Sequence, residues 1–223
     1  MSPDEANLAA ANKAGSRSLV WDWPLRVFHW ALLASVATSW IAIEVFDNID
    51  IHVQSGQIIL GLLVFRLLWG LFGPASAQFH HFIRGPRTII AYLKGLPVSY
   101  LGHNPIGALS VVAMLASLIV QVVSGLCSDD DVYTTGPLTK YLSESQVALA
   151  NLVHEWNQKV LLVLIATHVI AIFFYLIKKR TNLITPMLSG RSDSSRAIKP
   201  RPAWLAIVMI VLAVYVAWAI FAL

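Results

Sequence analysis

A single cysteine, Cys127, stands among the 223 residues. One thiol excludes a disulfide framework, and it excludes the Cys-x-x-Cys-His string that would attach haem covalently. Charge is scarce as well. Asp, Glu, Lys and Arg together make up 13% of the chain, against ~25% in an ordinary globular protein. Hydrophobic residues reach 57% and the mean hydropathy is +0.67, which excludes a soluble enzyme with a polar surface. The chain shows no internal repeat at solenoid periods. Its first residues are small and polar and lack a short apolar core with a cleavage site, so residues 1–20 read as a disordered tail and not as a signal peptide.

What is present is a set of long apolar runs. Five approach the roughly 20 residues that cross a bilayer: Leu25–Phe46, His52–Phe72, Pro105–Leu126, His154–Ile177 and Ala203–Leu223. They predict an all-α integral membrane protein. Basic residues then set its orientation. Lys13, Arg17, Arg84, Arg87, Lys94, Lys178, Lys179, Arg180, Arg191, Arg196, Lys199 and Arg201 all fall on one side. The opposite loops, 47–51 and 127–153, hold only Lys140, beside Asp47, Asp50, Asp129, Asp130, Asp131 and Glu144. The positive-inside rule makes the first side cytoplasmic, with the N-terminus inside and the C-terminus outside. Between glycine-proline breakers, Arg87–Lys94 reads as a short helix in the inner interface. Residues 127–153 read as a long outer loop containing the turn Gly136-Pro137.

Ionisable residues within spans are costly, so each is a functional candidate. A lone histidine there is commonly a satisfied polar contact between helices. Four of them, His29, His52, His154 and His168, form a pattern. Fourteen residues separate His154 from His168, which leaves them ~40° apart around the helix and about 21 Å apart along it. His52 opens a span from the outer side and matches the depth of His154. His29 lies near the inner start of its span, within ~4 Å of the depth of His168, a difference that helix tilt absorbs. The histidines sort into two layers of two. Zinc prefers four ligands in one place, and a proton relay needs carboxylates, of which only Glu44 and Glu155 approach the spans, both at ends. Two imidazoles facing across a bundle match the axial ligands of haem iron. Two non-covalent b-type haems, one per layer, follow.

Other residues fit around these. Arg66 stands fourteen positions after His52 and shares its face at the inner depth. Arg26 precedes His29 by three residues. Either arginine can pair with a haem propionate or snorkel to the interface. Gly56 and Gly61 make room for a flat ring or for a neighbouring helix. His80 and His81 read as solvated, and Trp21, Trp23, Trp30 and Trp40 as aromatic-belt residues. His103 can cap its helix, touch a propionate or line a quinone pocket, with capping or interface anchoring the preferred reading.

These positions resemble the prokaryotic di-haem cytochrome b561 family, which includes the b-type subunit of nickel–iron hydrogenases. The matching strings are Trp21-Asp22-x-Pro24-x-Arg26-x-x-His29-Trp30, His52-x-x-x-Gly56, Arg66-Leu67-x-Trp69-Gly70 and Gly102-His103-Asn104-Pro105-x-Gly107. Then come Asp129-Asp130 with Gly136-Pro137, His154-Glu155 and His168, and Asn182-Leu183-x-x-Pro186-Met187-x-x-Gly190. Together they cover about residues 20–190. The resemblance implies a four-helix membrane domain over 21–190 that holds two haems b on His29, His52, His154 and His168. It also implies a multi-pass protein of the bacterial inner membrane that moves electrons between the quinone pool and a periplasmic c-type cytochrome or hydrogenase-like complex. Nucleic acid is not among the expected partners. Residues 191–223, a linker and an extra C-terminal helix, fall outside the resemblance and read as a docking or dimer element. Two other readings stay open: a stand-alone quinone reductase oxidising a small species at the outer haem, and a redox-inert anchor for a periplasmic enzyme.

Overall fold

The computed structural model describes residues 18–100, 102–130, 134–192 and 197–223. Most of the expected disordered tail, with Lys13 and Arg17, lies outside the described residues, as do Asp131 and Arg196. Helices α1 (Trp23–Glu44) and α2 (Ile49–Phe72) are followed by the short α3 (Phe79–Phe82) and α4 (Pro86–Leu93). After these come α5 (Pro105–Leu126), α6 (Glu144–Ile177), α7 (Ile184–Ser189) and α8 (Ala203–Phe221). Helices α1, α2, α5, α6 and α8 are long and apolar enough to cross a membrane. This is the all-α integral membrane architecture that the five apolar runs predict.

Local chemistry explains where the helices begin. Asn48 caps α2 by accepting the Ile51 N–H at 3.0 Å, and Asn104 caps α5 by accepting the Gly107 N–H at 2.7 Å. Ser143 and Gln146 form a capping box at the start of α6. That box corrects one expectation: residues 144–153, assigned to an outer loop, are the first turns of α6. The described residues of the remaining loop are tied back to the helices. Asp129 and Asn151 exchange two hydrogen bonds, at 2.8 and 3.1 Å, and Gly136 donates to the Ser128 carbonyl at 2.8 Å.

The spans assemble as two antiparallel pairs, α1 with α2 and α5 with α6, and α2 makes the main contact between the pairs through α5. The core centres on Phe28, Leu63, Phe65 and Trp69. Helix α8 lies along α2. Its buried residues Ala206, Met209, Ala213 and Ala217 recur at helical spacing on one face, where small side chains allow close approach. Gly61 of α2 meets that seam, with a Cβ position 3.6 Å from Ala217 Cβ. The other candidate ring-space glycine, Gly56, faces open space. The two therefore serve different neighbours.

A small clip closes the end of the bundle at which α1 begins. Strand β1 (Ser18–Leu19) pairs antiparallel with β2 (Arg191–Ser192). Val20 and Trp21 both donate to the Gly190 carbonyl, at 2.8 and 3.1 Å. Gly190 ends α7 in the left-handed conformation, φ 81°. A Cβ there would stand 2.6 Å from the Trp21 carbonyl oxygen, so only glycine fits. The clip turns Trp21 inward, which corrects its reading as a belt residue: it is buried, with its ring 4.6 Å from that of His103. Trp23, Trp30 and Trp40 remain exposed on the apolar surface.

Candidate cofactor site

The outer layer assembles from α1, α2, α5 and α6. His52 and His154, expected at equal depth, face each other with ring centroids 6.1 Å apart and planes at 85°. Each ring is held by its Nδ1. His52 Nδ1 lies 3.1 Å from the Ser39 carbonyl and from Ser39 Oγ. His154 Nδ1 lies 2.9 Å from the Gln121 carbonyl and 3.2 Å from Ser124 Oγ. An Nδ1–H given to a carbonyl leaves the Nε2 lone pair free, the arrangement typical of a metal-bound imidazole.

A ladder of amides stiffens α5 against α6 beneath His154. Asn157 donates to Gln121 Oε1 at 2.7 Å and to the Ser117 carbonyl at 2.9 Å, and Ser117 Oγ donates back at 3.0 Å. Gly125 completes the seat, since a Cβ there would lie 2.9 Å from His154 Cε1. None of Ser39, Ser117, Gln121, Ser124 or Asn157 was a candidate from sequence. The available signal is that Ser117, Gln121 and Ser124 share one face of α5 at spacings of four and three, opposite His154 and Asn157 on α6.

A cavity of about 720 Å³ adjoins the pair, within the range of ligand sites in proteins. Val36, Gly56, Leu118, Leu161 and Ile165 line it, and Gly136, Pro137 and Phe221 lie at its outer end. Glu44 and Glu155 also line it. Glu155 pairs with Lys159 at 2.9 Å and Glu44 accepts from Gln158 at 2.8 Å. Among the described residues no three His, Cys, Asp or Glu side chains are grouped to hold a metal ion by themselves. The donor set is two opposed imidazoles beside a large apolar space, and it fits the axial ligation of a porphyrin iron.

At the inner layer, His29 and His168 lie within electrostatic range of each other. Arg66, aligned from sequence with this depth, is 2% exposed, and its guanidinium carbon sits 4.6 Å from the Phe79 ring centroid. Arg26 takes a different position. Its Nη1 donates to the Leu188 carbonyl, tying α1 to the end of α7, while its Nε is buried without a partner. His80 and His81 are exposed, in keeping with their solvated reading.

Two inner residues carry more than their sequence positions revealed. Asp22, at the N-cap of α1, is 2% exposed and accepts the Trp69 indole N–H at 2.9 Å. Burial raises its carboxyl pKa to about 6, against the opposing pull of that hydrogen bond and of Arg66. His103 does not cap α5, because Asn104 does. Its ring packs against Trp21 and, at 5.2 Å, Phe82. Burial, then Arg66, His168 and His29, push its pKa down to about 3, so the imidazole is neutral. Asp22 Oδ1, His29 Nδ1, Arg66 Nη1 and His103 Nδ1 are all buried without a hydrogen-bond partner. Of these, the Arg66 and His103 nitrogens can donate, and a buried donor calls for an acceptor; a porphyrin's carboxylates would supply one.

A family model described as prokaryotic cytochrome b561 matches residues 20–190, a stretch that begins just after β1, runs through α7 and stops short of α8. No curated protein and no solved structure matches the chain.

Proposed function

The chain belongs to the prokaryotic cytochrome b561 family, a family of membrane electron carriers with b-type haem, and from that premise we propose that it moves electrons across the membrane through two haems. His52 and His154 hold the outer one and His29 and His168 the inner one. The observation that carries the reading is the outer pair: two imidazoles anchored through Nδ1 and opposed across 6.1 Å.

Bound haem supplies one-electron oxidation and reduction at iron. The chain's own residues set the conditions for that chemistry. The carbonyls of Ser39 and Gln121 fix the tautomer and orientation of the two outer imidazoles. Apolar walls exclude water from the iron, and the buried cation of Arg66 favours the more negative, reduced state of the inner haem. In this reading the N-terminus is cytoplasmic and the membrane is the bacterial inner membrane. Electrons exchange between a quinone, bound as a further ligand, and a periplasmic c-type cytochrome or hydrogenase-like complex. The carboxylates at the outer cavity, Glu44, Asp129, Asp130 and Glu155, suit a partner that presents lysines.

The test is haem counting on purified protein by pyridine haemochrome, with the reduced absorption band as identity check. The expected result is two haems b per chain, falling to one in His168→Ala and to the other one in His52→Ala. Two haems retained in both variants, or none in the wild type, overturns the proposal.

A further inference from the structure

The two layers differ in how they treat their polar groups. At the outer layer both imidazole Nδ1 atoms have protein acceptors. Around the inner layer, donors from separate elements are buried with nothing to donate to. Arg66, on α2, places Nη1 in this state, and His103, just before α5, does the same with Nδ1. Phe82 is a neighbour of both: its ring centroid lies 5.9 Å from the Arg66 guanidinium carbon and 5.2 Å from the His103 ring centroid. His103 also interacts electrostatically with His29, His168 and Arg66. The two donors therefore share one region beside the inner imidazole pair.

Nearby protein groups do not satisfy them. Asp22 is the adjacent acid, but it directs one oxygen to Trp69 and leaves Arg66 Nη1 without a hydrogen bond. A buried guanidinium with a free N–H is costly, and an anionic oxygen relieves that cost more fully than a neutral carbonyl does. A neutral imidazole adds a second N–H without adding charge. Two donors, one of them cationic, make a site for a carboxylate.

We propose that Arg66 and His103 together bind one carboxylate beside His29 and His168, and that this carboxylate is a propionate of the inner haem. This rests on the haem reading above. It assigns His103 to cofactor binding, in place of helix capping.

The test uses purified holoprotein and two readouts other than electron-transfer activity. One is the rate at which haem leaves to excess apomyoglobin. The other is the resonance Raman propionate-bending band, which reports hydrogen bonding to the carboxylate. In His103→Leu, loss of the inner haem is expected to accelerate about tenfold and in Arg66→Gln up to about a hundredfold, the range spanned by neutral and charge-assisted hydrogen bonds. The outer haem should leave at its wild-type rate. His103→Gln keeps an N–H donor and should restore both the rate and the Raman band. If His103→Leu does not fold, His103→Gln and Arg66→Gln are read alone, and a wild-type loss rate in Arg66→Gln overturns the proposal. A wild-type rate and band in His103→Leu also overturn it. Altered affinity for a quinone analogue with unchanged haem loss would assign His103 to quinone and overturn it too. A wild-type protein without haem would instead sink the haem reading, so the two failures are distinguishable.

Discussion

Gly125→Ala is a one-carbon test of how the outer ligand is seated. The added methyl would lie 2.9 Å from His154 Cε1 and 3.2 Å from its Nδ1. Ordinary carbon–carbon contact is about 3.5–4.0 Å, so the imidazole must retreat by about 0.6–1 Å. Metal–ligand distances tolerate only about 0.2 Å. The ring cannot simply slide, because Nδ1 is held by the Gln121 carbonyl at 2.9 Å. It must leave its rotamer, at about 1 kcal/mol, or give up that hydrogen bond at a similar cost. Either way the outer haem should bind about fivefold more weakly or worse, and its potential should shift while that of the inner haem does not. Haem stoichiometry with a redox titration followed optically reads both effects. Gly56 supplies the contrasting case. Nothing lies within 4 Å of its Cβ position and it lines the cavity beside the histidine pair, so the side chain of Gly56→Leu starts into that cavity. Loss of the outer haem from Gly56→Leu with normal folding places the porphyrin there. Full outer-haem occupancy and unshifted potentials in both variants would refute the reasoning.

Two further outcomes follow from the fold. The Asp22 carboxyl has a folded pKa raised from 3.8 to about 6, so its contribution to stability is fully present below about pH 4 and is lost as pH rises through 6. The loss amounts to about 3 kcal/mol. Asp22→Asn, which keeps an acceptor for Trp69, should remove this dependence, and melting in detergent at pH 4 and pH 7 checks it; identical pH profiles would count against it. Gly61→Leu places a branched side chain where the Cβ position is already 3.6 Å from Ala217. It should separate α8 from α2 while both haems stay bound, as cysteine cross-linking between the helices and a visible spectrum would show; intact cross-linking rules it out.

The amino-acid sequence by itself determined the five spans, since apolar length is a local property and the bilayer sets its scale. The same local regularity put His52 and His154 at matching ends of their spans, where their rings meet. Tertiary structure alone decided what each ring touches. His52 is anchored by Ser39 from the preceding helix, and His154 by Gln121, 33 residues earlier in the chain. Gly56 and Gly61 look alike in sequence, yet one faces a cavity and the other a helix. Trp21 and His103 read as surface residues until the Ser18–Leu19 clip drew the first inward, against the second. Hydrogen-bond partners and burial depend on which segments meet in space, and neither hydropathy nor helical period carries that information.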